Sequence, residues 1–199
     1  MFRLIEAERV AQELIEAMKP YCIRCEVAGS IRRQKPEVKD IEIVAIPLWH
    51  KVDDPTDLFC ERKVNINELW QNNSALNVKW IKPGTSEIVP WHINQNGKYW
   101  RGLLPNSMKL DLFLVTEANW GIQFAIRTGC AEFSHGLVTH ANRRSLPCVD
   151  GYLTREGQRL ETREEIEVFN LLDLDFVEPQ NRVGFAQVRA RSASKKSGI

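Results

Sequence analysis

The sequence predicts an α+β protein, and three observations lead there. Residues 4–19 place Ile5, Ala7, Val10, Ala11, Leu14, Ile15 and Met18 at three- and four-residue spacing, the pattern of an amphipathic helix, which Pro20 ends. Short apolar runs bounded by turn residues at 24–28, 40–47, 78–81 and 108–115 read as strands. From Glu117 onward helical spacing returns, through Trp120, Phe124, Ile126, Phe133, Leu137 and Val138, with a break at Thr128-Gly129.

The remaining elements follow from local chemistry. Ser30 is placed to cap a helical turn over 31–33, which Lys35-Pro36 breaks. Leu58, Phe59, Val64, Ile66, Leu69 and Trp70 suggest a helix over 57–70, after a turn at Asp53-Asp54-Pro55. Asn96-Gly97 between strand-like runs at 88–93 and 98–104 predicts a hairpin. A second, smaller hairpin is expected around Asp150-Gly151. A helix is expected over 163–172, capped by Thr162. Residues 181–199 carry Arg182, Arg189, Arg191, Lys195 and Lys196 without an acid, and 185–199 is expected to be a disordered basic tail.

Bulk properties remove several function classes. The 199 residues are 43% hydrophobic and 27% charged, ordinary for a globular chain. No apolar run approaches the roughly 20 residues needed to span a bilayer, and the N-terminus lacks a signal peptide's apolar core. A cytoplasmic protein with no membrane partner is expected, as a monomer. The net charge of +1 argues against a strongly basic, non-specific DNA surface. The five cysteines form no disulfide framework, and Cys22-Ile23-Arg24-Cys25 has no second ligand pair at zinc spacing.

The stretch from Val27 to Val44 concentrates the chemistry. Gly29-Ser30 ends an apolar run and allows backbone to approach a phosphate closely. Arg32 and Arg33 follow, and Arg33 has the planar fork that suits phosphate oxygens. Asp40 and Glu42 are separated by one residue in a strand and therefore share a face. Two acids on an otherwise apolar strand repel each other and resist burial, so a divalent cation is the simplest partner. Asp111 is the one acid of the 108–115 strand, a position where Asp is depleted. Should that strand lie beside 40–47, the three carboxylates converge. Such an oxygen-donor set suits two Mg²⁺, or Mn²⁺, in an in-line phosphoryl displacement.

Taken together, these motifs resemble the nucleotidyltransferase superfamily of DNA polymerase beta. Asp40-x-Glu42 lies eleven residues beyond Gly29, and a lone strand acid, Asp111, follows downstream. Gly29-Ser30-Ile31-Arg32-Arg33 resembles the Gly-Ser-Phe-Arg-Arg of family X DNA polymerases. Thr128-Gly129-Cys130-Ala131-Glu132-Phe133-Ser134 resembles their Thr-Gly-Ser-x-x-Phe-Asn, and Phe169 with Glu178-Pro179-Gln180-Asn181-Arg182 resembles their C-terminal segment.

The resemblance implies a nucleotidyltransferase palm over 1–116, a mixed β-sheet with helices on one face, and a small thumb-like subdomain over 117–184. It implies Asp40, Glu42 and Asp111 as catalytic metal carboxylates, with Asp111 nearest the attacking 3′-hydroxyl. Gly29, Ser30 and Arg33 would hold the triphosphate, while Ile126, Arg127, Gly129 and Ser134 would line sugar and base. The sequence departs from the family at Glu42, usually Asp, at Ile126-Arg127, usually aromatic, and at Ala131 and Ser134. The 199 residues are expected to comprise only palm and thumb-like parts, without the family's amino-terminal lyase domain or helix-hairpin-helix repeats. The implied activity is Mg²⁺-dependent addition of nucleotides from a nucleoside triphosphate to a DNA 3′-hydroxyl, as in gap filling and repair. The alternatives are transfer to an RNA end, a small molecule or a protein hydroxyl, or a catalytically silent binding module.

Overall fold

Residues 1–48, 50–54, 57–64, 77–82, 84–89 and 98–190 are described by the structure, a computed structural model. In chain order its elements are β1 (Phe2–Arg3), α1 (Leu4–Met18), β2 (Cys22–Val27), α2 (Gly29–Arg32), β3 (Glu37–Val38), β4 (Asp40–Pro47), β5 (His50–Asp54), β6 (Asp57–Val64), β7 (Lys79–Ile81), β8 (Tyr99–Leu103) and β9 (Lys109–Leu114). They continue with α3 (Trp120–Thr128), α4 (Ala131–Arg143), β10 (Cys148–Val149), β11 (Tyr152–Arg155), β12 (Gln158–Leu160) and α5 (Glu165–Leu171). The fold is α+β. Chain contacts divide it into two compact units: Met1–Ile31 with Lys35–Val115, and Arg32–Gln34 with the chain from Thr116 onward.

The first unit is built on a mixed five-stranded sheet of order β2-β4-β9-β8-β7. Only the β4–β9 pair is parallel; the other neighbours are antiparallel. One face carries Ile41, Ile43 and Ala45 of β4, Leu110 and Leu112 of β9 and Trp100 of β8, all buried. These residues and Ala7, Ala11, Leu14 and Met18 of α1 form one hydrophobic core. The period-two alternation of the strands thus meets the apolar stripe of the helix. The opposite side-chain set of the same strands includes Asp40, Glu42, Asp111 and Arg101. A separate two-stranded ladder, β1 with β3, pins the segment leading into Asp40: Phe2 pairs with Val38 and Arg3 with Glu37.

In the second unit, α3, α4, α5 and the three-stranded β10-β11-β12 sheet enclose a second core of Ile122, Ala125, Phe133, Leu137, Leu153, Val168 and Phe169. A Cβ on Gly121 would come within 2.3 Å of the Glu164 carbonyl oxygen, so α3 meets the backbone ahead of α5 at a position that only glycine fits.

Four local expectations are corrected. Residues 57–64 form a strand paired antiparallel with β5, rather than the start of a helix; 65–70 lie outside the described residues. Ser30 sits inside α2 and caps nothing, its Oγ being buried without a hydrogen-bond partner. The helix near 165 is capped by Glu164 in a capping box with Glu167, while Thr162 accepts a hydrogen bond from the Ile122 N–H at 3.3 Å. Residues 185–190, expected in a disordered tail, pack Phe185 and Val188 against the second core, and Ala190 bridges Leu174. The Asn96-Gly97 turn and 191–199 lie outside the described residues. Among the described residues no helix is long and apolar enough to cross a membrane.

Candidate active site

Strand register brings the three predicted carboxylates together on one sheet face. Asp40 and Glu42 are two residues apart on β4, and Glu42 pairs directly with Asp111 on the parallel neighbour β9. Paired residues in adjacent strands point to the same side. Asp111 is only 5% exposed.

The negative charge at Asp111 is already met by a cation. Arg101 lies directly opposite it on β8. Its Nε donates to Oδ1 at 2.7 Å and its Nη2 to Oδ2 at 2.6 Å, a bidentate fork, while the Tyr99 hydroxyl donates to Oδ1 at 2.9 Å. The bond to Asp111 raises the Arg101 pKa above its already high value. Burial, then the charge of Asp111, push the Asp40 carboxyl up, with Arg101 and Lys109 opposing. Arg101 thus engages both Asp111 oxygens. No group of three or more His, Cys, Asp or Glu in metal-holding geometry exists among the described residues. The donor set still fits Mg²⁺ or Mn²⁺ chemically: three hard oxygen ligands on adjacent strands, one with a cation beside it.

Gly29 sits against Glu42. It adopts φ +61°, and a Cβ there would lie 1.8 Å from Glu42 Oε2. The Ala28 N–H donates to the Glu42 carbonyl at 2.8 Å, which ties the loop to the strand. Glycine is thus required twice, by backbone conformation and by the carboxylate above it. Gly29→Ala is expected to cost about 1–2 kcal/mol from the left-handed backbone alone and to displace the Glu42 carboxylate; urea melts paired with a metal-binding titration check both effects. The buried, unpartnered Ser30 Oγ next to it has its hydrogen-bonding capacity unspent.

The second unit holds the other predicted residues. Arg33 Nη1 donates to the Thr128 carbonyl at 2.5 Å, at the C-terminus of α3 where carbonyls lack helical partners and a cation is favoured. Its Nε is buried without a partner. Ser134 Oγ donates to the Ile126 carbonyl at 2.6 Å, satisfying another carbonyl of the same last turn. Ser134→Ala is expected to lower stability by about 1 kcal/mol, read as a drop in the urea midpoint with an unchanged slope. A Cβ on Gly129 would strike the Phe133 ring at 2.3 Å, so Gly129 allows α4 to start close against α3. Ile126 packs against the second core, and Arg127 lies in the last turn of α3.

Sequence reasoning missed an ion-pair cluster in this unit. Arg32 forks onto Glu165 at 2.9 and 2.7 Å and donates to Thr128 Oγ1 at 2.7 Å, with its guanidinium 3.8 Å above the Phe124 ring. Fully buried Arg182 bonds the same Glu165 carboxylate, with the rings of Phe133, Phe169 and Phe176 around it. Burial works to raise the Glu165 pKa, but the hydrogen bonds from Arg32 and Arg182 prevail and hold it below 4.5. Two arginines thus share one acid.

The α+β fold, with its mixed five-stranded sheet, is polymerase-beta-like. A crystal structure of Leishmania infantum polymerase beta in a ternary P/T complex is similar to this chain, with a TM-score of 0.65 and 15% sequence identity. The similarity covers 91% of this chain and 76% of that one. Neither a protein-family model nor a curated protein matches the sequence.

Proposed function

We propose that the protein is a metal-dependent nucleotidyltransferase that transfers a nucleoside monophosphate from a nucleoside triphosphate to a DNA 3′-hydroxyl and releases pyrophosphate. The observation that carries this reading is the register of Asp40, Glu42 and Asp111 on one sheet face, with Gly29 against Glu42 and the unpartnered Ser30 hydroxyl next in the chain. The polymerase-beta-like fold supports it. In this reading 1–116 is the palm and 117–184 the thumb-like part.

Each residue then has a chemical task. Asp40, Glu42 and Asp111 would hold Mg²⁺ or Mn²⁺, which would supply Lewis acidity at the attacking hydroxyl and neutralise charge on the departing pyrophosphate. Gly29 lets the backbone approach the triphosphate, and Ser30 Oγ, idle in the free protein, donates to a phosphate oxygen. Arg33, with its buried, unpartnered Nε, is assigned to phosphate oxygens. Asp111 orients the 3′-hydroxyl and draws its proton as the new phosphodiester bond forms and the bond to pyrophosphate breaks. Ile126, Arg127, Gly129 and Ser134 are assigned to sugar and base.

The test is extension of gapped, nicked and single-stranded DNA with each nucleoside triphosphate, Mg²⁺ and Mn²⁺ compared, beside RNA ends and non-nucleic hydroxyl acceptors. Preferential one-nucleotide extension of gapped DNA is expected. Transfer to another acceptor alone would keep the chemistry and replace the substrate, and no transfer to any acceptor would remove the enzyme reading.

A further inference from the structure

We propose that Arg101 is a resident counter-ion that competes with the divalent cation for Asp111, so that metal enters only as the guanidinium leaves. This rests on the nucleotidyltransferase reading of the three carboxylates and adds a residue to it. Glu42, Asp111 and Arg101 form one row across β4, β9 and β8, each directly paired with the next. Register therefore seats a cation on the carboxylate, on the side away from its acidic neighbour. The fork occupies both Asp111 oxygens, and a metal ion needs at least one of them.

The two partners differ in their freedom. The Asp111 side chain is 7% exposed and the Arg101 side chain 39%. Arg101 can withdraw toward solvent without repacking the core, whereas Asp111 stays. The Tyr99 ring, stacked on Phe113 at 5.0 Å, lies 5.9 Å from the Arg101 guanidinium carbon while the fork is made. The Tyr99 hydroxyl on Oδ1 keeps the carboxylate oriented during the exchange. In the free protein Arg101 offsets the mutual repulsion of three neighbouring acids, and this lowers their affinity for an added cation.

The test is Mn²⁺ binding to the free protein, without nucleotide or DNA, followed by electron paramagnetic resonance and by the metal-induced rise in melting temperature. Arg101→Gln is expected to bind Mn²⁺ at least about threefold more tightly than wild type, the scale of a partly exposed ion pair. Its metal-free form should melt lower, and its melting temperature should rise more on adding Mn²⁺. Arg101→Lys, which keeps a charge but loses the fork, should fall between the two and provides the same comparison if the glutamine variant folds poorly. In an Asp111→Asn background the Arg101 effect should shrink to the long-range repulsion Arg101 exerts on a cation at Asp40 and Glu42. Asp111-dependent Mn²⁺ binding that Arg101→Gln leaves unchanged or weakens would overturn the competition and leave the carboxylate site standing. Absence of Mn²⁺ binding in wild type and every variant would overturn the site itself, and the competition with it.

Discussion

Asp111→Asn is expected to lower nucleotidyl transfer about 10³-fold while the protein stays folded. The substitution keeps the side chain's shape and one hydrogen-bond acceptor, so Arg101 and Tyr99 retain a partner on β9. On the proposed reading, what it removes is the charge that would hold a cation and draw the proton from the attacking hydroxyl. The stability change should stay within about 2 kcal/mol, because an asparagine opposite arginine leaves no buried anion. Single-turnover extension rates beside urea melts separate the two effects. A variant that melts like wild type and transfers at an unchanged rate would remove Asp111 from the chemistry.

Glu165→Ala is the largest stability effect expected, a loss of about 3–5 kcal/mol. Arg182 is fully buried and its Nη2 already lacks a partner. Removing the one carboxylate it shares with Arg32 takes away the ion-pair partner of two guanidinium groups, one of them ringed by phenylalanines. The same carboxylate predicts an acid limb. Its pKa is held below the ordinary value of 4.5 in the folded state. A depressed carboxylate contributes stability that is fully present above 4.5 and disappears as pH falls through its folded pKa. The melting temperature of wild type should therefore fall below pH 4.5, and Glu165→Gln should lose this component of the fall. Parallel acid limbs in both proteins would show that Glu165 is not its source.

The sequence made local structure legible where one physical signal dominated. The helix over 4–18 follows from its apolar stripe and Pro20, and the 40–47 strand from its alternation and Pro47. The shared face of Asp40 and Glu42 follows from strand period alone. Residues 57–64 were misread because Leu58, Phe59 and Val64 suit a helix face as well as a strand, and the pairing with β5 that decides the matter is not local. For the same reason Arg101 was invisible: nothing in Tyr99-Trp100-Arg101 says which residue of β9 it will face, and register across a sheet sets that. Thr162 looked like a cap because caps favour its hydroxyl, yet Glu164 and Glu167 supply the capping box and Thr162 ties down α3 instead. Arg182 stood out only as one of the C-terminal basic residues and through a resemblance. Its burial against three aromatic rings depends on chain segments far apart in sequence.

Pyrophosphate release from a deoxynucleoside triphosphate in the presence of gapped DNA and Mg²⁺ tests the central claim most directly, with wild type compared with Asp40→Asn, Glu42→Gln and Asp111→Asn. The account predicts release matched one for one by primer extension in wild type, abolished by chelating the metal and reduced by orders of magnitude in each variant. Wild type that releases no pyrophosphate with Mg²⁺ or Mn²⁺, or variants that release it as fast as wild type, would contradict it.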